Sequence, residues 1–366
     1  MQKVFDGHND LLLRLWMEND RNGKLFFYGG ESANQNTLRM ANNLKIGKLG
    51  HIDLPRAKLG GYIGGFFAVF VPDKNTYNLN EKDSPFIKKT NILSKQRYAL
   101  KSTIEMINIV WSMNELKPDI IKVILSKKDL ESILNLNTDH RITILLHLEG
   151  AEAIGKELLE LDQLFHLGLR SLGPVWSRPN IFGFGVPFNF PSSPNIGPGL
   201  TDIGKRLIKE CNKKGIMIDL SHMNEAGFWD TAKISSKPLV ATHSNVHQLS
   251  PSPRNLTEKQ LDAIAESKGV VGLNFATMFL RQDGTTNLNT EQNIILKHFD
   301  HLIEKLGENG VAIGSDFDGA PIPKFIGDCS GLPNLIDSML KADYGKSLIN
   351  KICYKNWHDV LHRTIE

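Results

Sequence analysis

Five histidine and carboxylate residues stand at the ends of short apolar runs, and their types suit a divalent metal. His8 and Asp10, in Asp6-Gly-His8-Asn-Asp10, follow the run Val4-Phe5. Two residues apart, they share one side of an extended strand end. Imidazole with carboxylate suits a borderline cation such as zinc, although a lone H-x-D is also compatible with a solvated loop. Leu146-His147-Leu148-Glu149-Gly150 ends an apolar run in a glutamate. A carboxylate there is expensive unless paired or metal-bound. His147, with apolar flanks, reads as a packed histidine.

His222 closes Ile218-Asp219-Leu220-Ser221-His222, and His243 lies in Val240-Ala241-Thr242-His243-Ser244. One strand-end histidine is usually structural. Two on successive strands, joined by a strand-end glutamate and an H-x-D, point to a metal. One metal needs three or four ligands, so five donors favour two metals sharing a bridging carboxylate. Two ions about 3.5–4 Å apart can hold a hydroxide and polarise a carbonyl together. Asp316, in Gly314-Ser-Asp316-Phe-Asp318-Gly319, follows the last strand and is placed to move protons; a backbone-capping turn is its other reading, and the preferred one for Asp318. The remaining histidines, His51, His140, His166, His247, His298, His301, His358 and His362, fall in helical or loop contexts and receive no role.

These donors must be held by strands. Apolar or β-branched runs recur at 4–5, 62–71, 142–148, 169–175, 216–220, 239–242, 270–275 and 311–314. Stretches of helical spacing, such as 201–212 and 257–266, lie between most of them. Eight strands alternating with helices predict a closed (β/α)8 TIM-type barrel of the α/β class, with the binuclear site at the strands' C-terminal face. Nothing in the chain reads as a linker, so residues 1–366 are expected to form a single domain. Residues about 17–60 read as an insertion. Ser177 to Leu200, with five prolines and four glycines, is too long for a plain connection and reads as a lid.

Composition bounds the function class. Hydrophobic residues make up 41% and charged residues 23% of the 366, which excludes wholly disordered, collagen-like or coiled-coil chains. A chain of this size buries a core without metal staples, so a metal site here is functional rather than structural. Lys plus Arg exceeds Asp plus Glu by three (43 against 40), too little to argue for a nucleic-acid partner. No apolar run reaches the roughly 18 residues of a membrane span. Cys211, Cys329 and Cys353 show no paired spacing, and neither end carries a signal-peptide or lipid-anchor pattern. The expectation is a cytoplasmic protein with no membrane partner.

Taken together, the motifs resemble the membrane dipeptidase (renal dipeptidase) family of zinc peptidases, in a bacterial-type form, over nearly the whole chain. The resemblance rests on Asp6-Gly-His-Asn-Asp10, Asp53-Leu-Pro-Arg56, Glu149-Gly150, Leu167-Gly-Leu-Arg170 and Asp219-Leu-Ser-His222. It continues through His243-Ser244, Arg254-Asn255, Asn274-Phe275 and Gly314-Ser-Asp-Phe-Asp-Gly319. It implies two zinc ions, with His8 and Asp10 on one, His222 and His243 on the other, and Glu149 as the bridge. It also implies that Asp316 is the acid/base residue and that Arg254 clamps the substrate's C-terminal carboxylate. A dipeptide substrate, tolerance of a D residue at its C-terminal position, and a homodimer are further implications.

Two positions depart from animal members. Trp176 stands where those carry a histidine facing the substrate carbonyl, and Phe279 where they carry a tyrosine. The metal chemistry is therefore better supported than the substrate. The leading expectation is a dipeptidase using hydroxide held by two zinc ions. A metal-dependent amidohydrolase or lactonase for a non-peptide substrate is the alternative; a non-catalytic metal-stabilised binding protein is the third.

Overall fold

The computed structural model describes residues 1–30, 50–72, 92–135 and 139–366. Its strands are β1 (Val4–Asn9), β2 (Tyr62–Phe70), β3 (Ile121–Val123), β4 (Ile142–Glu149) and β5 (Leu169–Gly173). After these come β6 (Met217–Ile218), β7 (Val240–Ala241), β8 (Val270–Leu273) and β9 (Val311–Ile313). Every pairing is parallel, in the order β1-β2-β4-β5-β6 for one sheet and β7-β8-β9 for the other. Single parallel bridges join the two sheets, Asp219 to Val240 on one side and Asn9 to Phe317 on the other. Those two seams close the ring of eight strands, so the expected (β/α)8 barrel is the fold.

β3 is not among the eight expected strands. It pairs with the first residues of β4, Ile121 beside Ile142 and Val123 beside Ile144. Its three residues are too short to show an alternation, and its partner edge decides its state.

The strands are buried on both faces, as a parallel barrel wrapped by helices requires. All eight positions of β4 and all six of β1 are buried. One apolar cluster runs from Val4 to Ile365. Trp357, fully buried in the C-terminal helix Asn356–Thr364, donates its indole N–H to the Ile313 carbonyl at 2.9 Å. A Cβ at Gly7 would lie 2.4 Å from that ring, so glycine there lets the indole approach the strand that carries His8.

Helix ends follow local chemistry. The helix Asp202–Lys214 starts at Thr201, whose hydroxyl accepts from the Gly204 N–H at 3.0 Å. It stops at Gly215, whose φ of 68° suits glycine. The helix Glu258–Glu266 begins at Thr257 with a capping box to Gln260. No helix among the described residues is long and apolar enough to cross a membrane. Of the expected insertion at about 17–60, residues 31–49 lie outside the described residues.

Candidate metal centre

His8 and Asp10 leave the end of β1, and Glu149 is the last residue of β4. His222 and His243 lie just past β6 and β7, and Asp316 just past β9. All six are at most 8% exposed, and the barrel brings them together at one rim. The centre of the group is one oxygen of Glu149. Its Oε1 lies 2.9 Å from His222 Nε2, 3.5 Å from His243 Nε2 and 3.6 Å from His8 Nε2. His222 and His243 bring their Nε2 atoms within 3.0 Å of each other. His8 Nε2 is 3.4 Å from Asp10 Oδ2, and its ring stacks on His243 at 3.8 Å.

Two overlapping sets of donors lie close enough to hold a cation: His8, Glu149 and His243, and His8, Asp10 and Asp316. His222 joins the first through its contact with Glu149. Asp316, expected to stand apart from the ligands, falls within reach of the second set. The chemistry of the donors fits a divalent ion. Both ring nitrogens of His8 are buried without a hydrogen-bond partner among the described residues. Such atoms are costly unless something meets them.

Protonation preferences differ among the donors. Burial, with help from Arg254 and His8, pushes His222 well below the usual histidine range, and burial with His8 and Arg254 does the same to His243. Both shifts favour the neutral imidazole, the form that binds metals. Burial disfavours charge on His8 as well, but Glu149, Asp10 and Asp316 outweigh it and push its pKa up to about 10. Burial raises Glu149 to about 8, against the pull of His8. Burial likewise raises Asp316, with His8 and an Asn274 hydrogen bond opposing. Three carboxylates, Asp10, Glu149 and Asp316, crowd one pocket and raise the pKa of His8 between them, a field of negative charge that a metal ion satisfies.

The loops hold these groups in unusual backbone states. His222 has φ of 68° and Asp316 of 61°, left-handed values that non-glycine residues seldom take and that gather at functional sites. Asn274 donates from Nδ2 to Asp316 Oδ2 at 2.9 Å. Asp318, also at positive φ, stays out of the cluster. Its Oδ1 accepts from the His51 N–H, its own N–H donates to His51 Nδ1 at 2.9 Å, and Arg14 Nε lies 3.4 Å from its Oδ2. His51, assigned no role from sequence, is thus the clasp of the turn that carries Asp316.

Gly319 completes that turn. A Cβ there would fall 2.1 Å from Asp10 Oδ2 and 2.5 Å from Asp316 Oδ1. Gly319→Ala is therefore expected to displace both carboxylates and lower turnover by at least tenfold, while the melting temperature of the metal-free protein changes little. Steady-state kinetics beside thermal unfolding checks this; unchanged turnover would show that the carboxylates do not need their present positions.

Arg254 reaches the rim from the loop after β7. It is 3% exposed, donates from Nη2 to the His243 carbonyl at 3.0 Å and stands 5.3 Å over the Phe279 ring. Its Nε is buried without a partner among the described residues. A buried guanidinium with a spare donor is suited to an incoming carboxylate. Aromatic rings line the way from His222 to Arg254. Trp176 lies 5.8 Å from the His222 ring, Phe188 is 5.5 Å from Trp176, and Phe188 stacks on Phe279 at 6.0 Å.

Phe188 belongs to the 177–200 segment, which contains no regular helix or strand. That segment is fastened across the rim. The Ser192 N–H donates to the Pro251 carbonyl at 2.9 Å, and a Cβ at Gly284 would lie 2.4 Å from the Phe190 ring.

Sequence reasoning assigned no role to the groups that support the histidines. Ser177 Oγ meets His222 Nδ1 at 2.7 Å, and Thr242 Oγ1 meets His243 Nδ1 at 2.8 Å. The only signal was the adjacency of Thr242 to His243. His147 is packed, as expected: it is fully buried, bonded through Nδ1 to Ser171 Oγ at 2.9 Å, and burial lowers its pKa to about 3.

Known proteins resemble this chain over nearly its whole length. A metallo peptidase from Rhodobacter sphaeroides, solved with a phosphinate mimic of the dipeptide L-Ala-D-Ala, is 44% identical, with a TM-score of 0.88 over 99% of each chain. A second solved structure, the dipeptidase AC, is 44% identical with a TM-score of 0.87, covering 100% of this chain and 99% of its own. A protein encoded in the pqqA 5′ region of Klebsiella pneumoniae is 44% identical over 262 residues, 70% of this chain and 96% of its own. The membrane dipeptidase family (peptidase family M19) matches residues 1–366, and with the barrel and its rim of donors in place the chain belongs to that family.

Proposed function

We propose that this protein hydrolyses dipeptides, with two zinc ions held by His8, Asp10, His222 and His243 and bridged by Glu149. The central position of Glu149 Oε1 among three histidines supports the bridge. When bound, the ions acidify a water and polarise the scissile carbonyl. The chain's own residues do the rest. Asp316 takes a proton from the attacking water and returns it to the departing amine, and Asn274 holds its other oxygen in place. Arg254 binds the free C-terminal carboxylate. Trp176, Phe188 and Phe279 wall the space between Arg254 and His222 and exclude water from it.

The observation that carries the dipeptide reading is Arg254, a buried guanidinium with an unmatched Nε beside the donor cluster. On this reading a terminal carboxylate fixed by Arg254 sets the scissile bond one residue away from it, which favours dipeptides over longer chains. The Rhodobacter sphaeroides relative was solved with a mimic of a dipeptide ending in a D residue. That supports acceptance of such substrates here. The whole chain is proposed to act as one barrel domain, with 177–200 as its lid. Three free, buried cysteines suit a cytoplasmic setting.

Free-acid and C-terminally amidated forms of one dipeptide, assayed on native protein and Arg254→Lys, test this reading. The native enzyme is expected to cleave the free acid and to handle the amide poorly. Lysine offers a point charge in place of the planar fork, so Arg254→Lys should lower kcat/KM for the free acid by about 10- to 100-fold, the loss of one charge-assisted hydrogen bond, and leave the amide nearly unchanged. Equal losses would remove the carboxylate clamp. Turnover of acyl amides or lactones in preference to every dipeptide would overturn the peptidase assignment.

A further inference from the structure

We infer that Asp219 and Thr242 form a positioning relay that fixes the tautomer of His243, so that its Nε2 lone pair faces the metal. The inference rests on His243 being a ligand, as proposed above; it concerns two residues that touch neither substrate nor metal.

Asp219 is 1% exposed. Its Oδ1 accepts the backbone N–H of Ser221 at 3.0 Å and of Thr242 at 2.8 Å. Its Oδ2 accepts the Thr242 hydroxyl at 2.6 Å. Three donors converge on this carboxyl group, and its oxygens accept from each of them. The Thr242 hydroxyl has one proton, and the short contact commits it to Asp219. Its oxygen, 2.8 Å from His243 Nδ1, can then only accept. The proton must therefore sit on Nδ1 of His243, leaving Nε2 bare. Nε2 is the atom that points to Glu149 Oε1 at 3.5 Å and to His222 Nε2 at 3.0 Å. The direction of the chain follows from counting protons: Nδ1–H to Thr242 oxygen, and Thr242 hydroxyl to carboxylate.

The seam of the barrel explains why the relay is built here. Among the described residues the one β-bridge between the ends of β6 and β7 is that of Asp219 to Val240. The Asp219 carboxylate spans that seam and ties the Thr242 backbone and side chain to the β6 end. His222 has no such anchor: its Nδ1 meets the Ser177 hydroxyl at 2.7 Å, on the lid segment. The two histidines are thus supported unequally, His243 by a buried carboxyl group through a hydroxyl and His222 by a neutral group on a loop. Removal of a group that orients a ligating histidine typically lowers metal affinity by about 10–100-fold.

The test uses the full chain and zinc, with affinity measured by competition against a chelator and the His243 tautomer read from ring nitrogen NMR shifts. Thr242→Val keeps the shape and removes the hydroxyl; Thr242→Ser keeps the hydroxyl. The native protein is expected to show His243 protonated at Nδ1. Thr242→Val should lower zinc affinity by about 10–100-fold and change the Nδ1 signal, and Thr242→Ser should restore both. If Thr242→Val fails to fold, Thr242→Ala removes the same hydroxyl without setting a methyl against Asp219. A native His243 protonated at Nε2 in the metal-free state, or zinc affinity unchanged in the valine or alanine variant, would overturn the relay. These readouts need no peptide. Zinc binding with an intact relay but no dipeptide turnover would defeat the proposed activity alone, and the converse result the relay alone.

Discussion

Glu149→Gln is expected to abolish most turnover and to lower bound metal from two ions to one or none. Among the described residues, Glu149 Oε1 is the one carboxylate oxygen within 3.6 Å of three histidine Nε2 atoms, those of His8, His222 and His243. An amide oxygen keeps the shape but removes the charge and coordinates a divalent cation weakly. Loss of a residue that merely orients a ligand costs about 10–100-fold in affinity or activity, so loss of a shared ligand should exceed 100-fold. Misfolding is not the expected cause. A buried carboxylate whose pKa stands at about 8 is a burden to the metal-free protein, and the neutral amide relieves it. Metal content by elemental analysis, kcat, and thermal unfolding of the chelator-treated protein should be measured together. Full activity with two ions in the variant would remove the bridging role.

Asp316→Asn is expected to retain both metals and to lower kcat by about 10²–10⁴-fold, the usual contribution of a general acid–base group. KM should change far less, because substrate binding rests on Arg254 and the aromatic wall. The asparagine can still meet Asn274 after an amide rotation, so the turn should keep its shape. This variant also decides between two roles the geometry allows, since Asp316 lies within reach of the His8 and Asp10 donors. A parallel loss of metal and activity would make Asp316 a ligand, and the proton would then need another carrier.

Much of the site was legible because metal ligands must be particular residue types at particular places. His8, Asp10, Glu149, His222 and His243 all lie where an apolar run ends, and a parallel barrel sends every such end to one rim. That rule converts positions far apart in the chain into neighbours without knowledge of any contact. Phe279 and Trp176 were also visible as departures, and both now flank the path between Arg254 and His222. β3 was not legible, because three residues carry no periodicity and its pairing with β4 is a long-range choice. Nor were the supports. Ser177 meets His222 across 45 residues, and Asp219 meets Thr242 across 23. Serine, threonine and aspartate are common residues whose hydrogen-bond partners depend on which loops fold against each other.

Sequence alone determined the class of fold and which histidines and carboxylates gather at one face of the barrel, because strand alternation and the dislike of buried charge act locally. Only the tertiary structure decided that Glu149 sits at the centre of the histidines, that Arg254 keeps an unmatched Nε among the described residues, and that Thr242 and Asp219 stand behind His243 while Ser177 stands behind His222. Those are matters of a few tenths of a nanometre, set by how two sheets meet at the Asp219–Val240 and Asn9–Phe317 seams. Such distances come from packing the whole barrel, which no single stretch of the chain encodes.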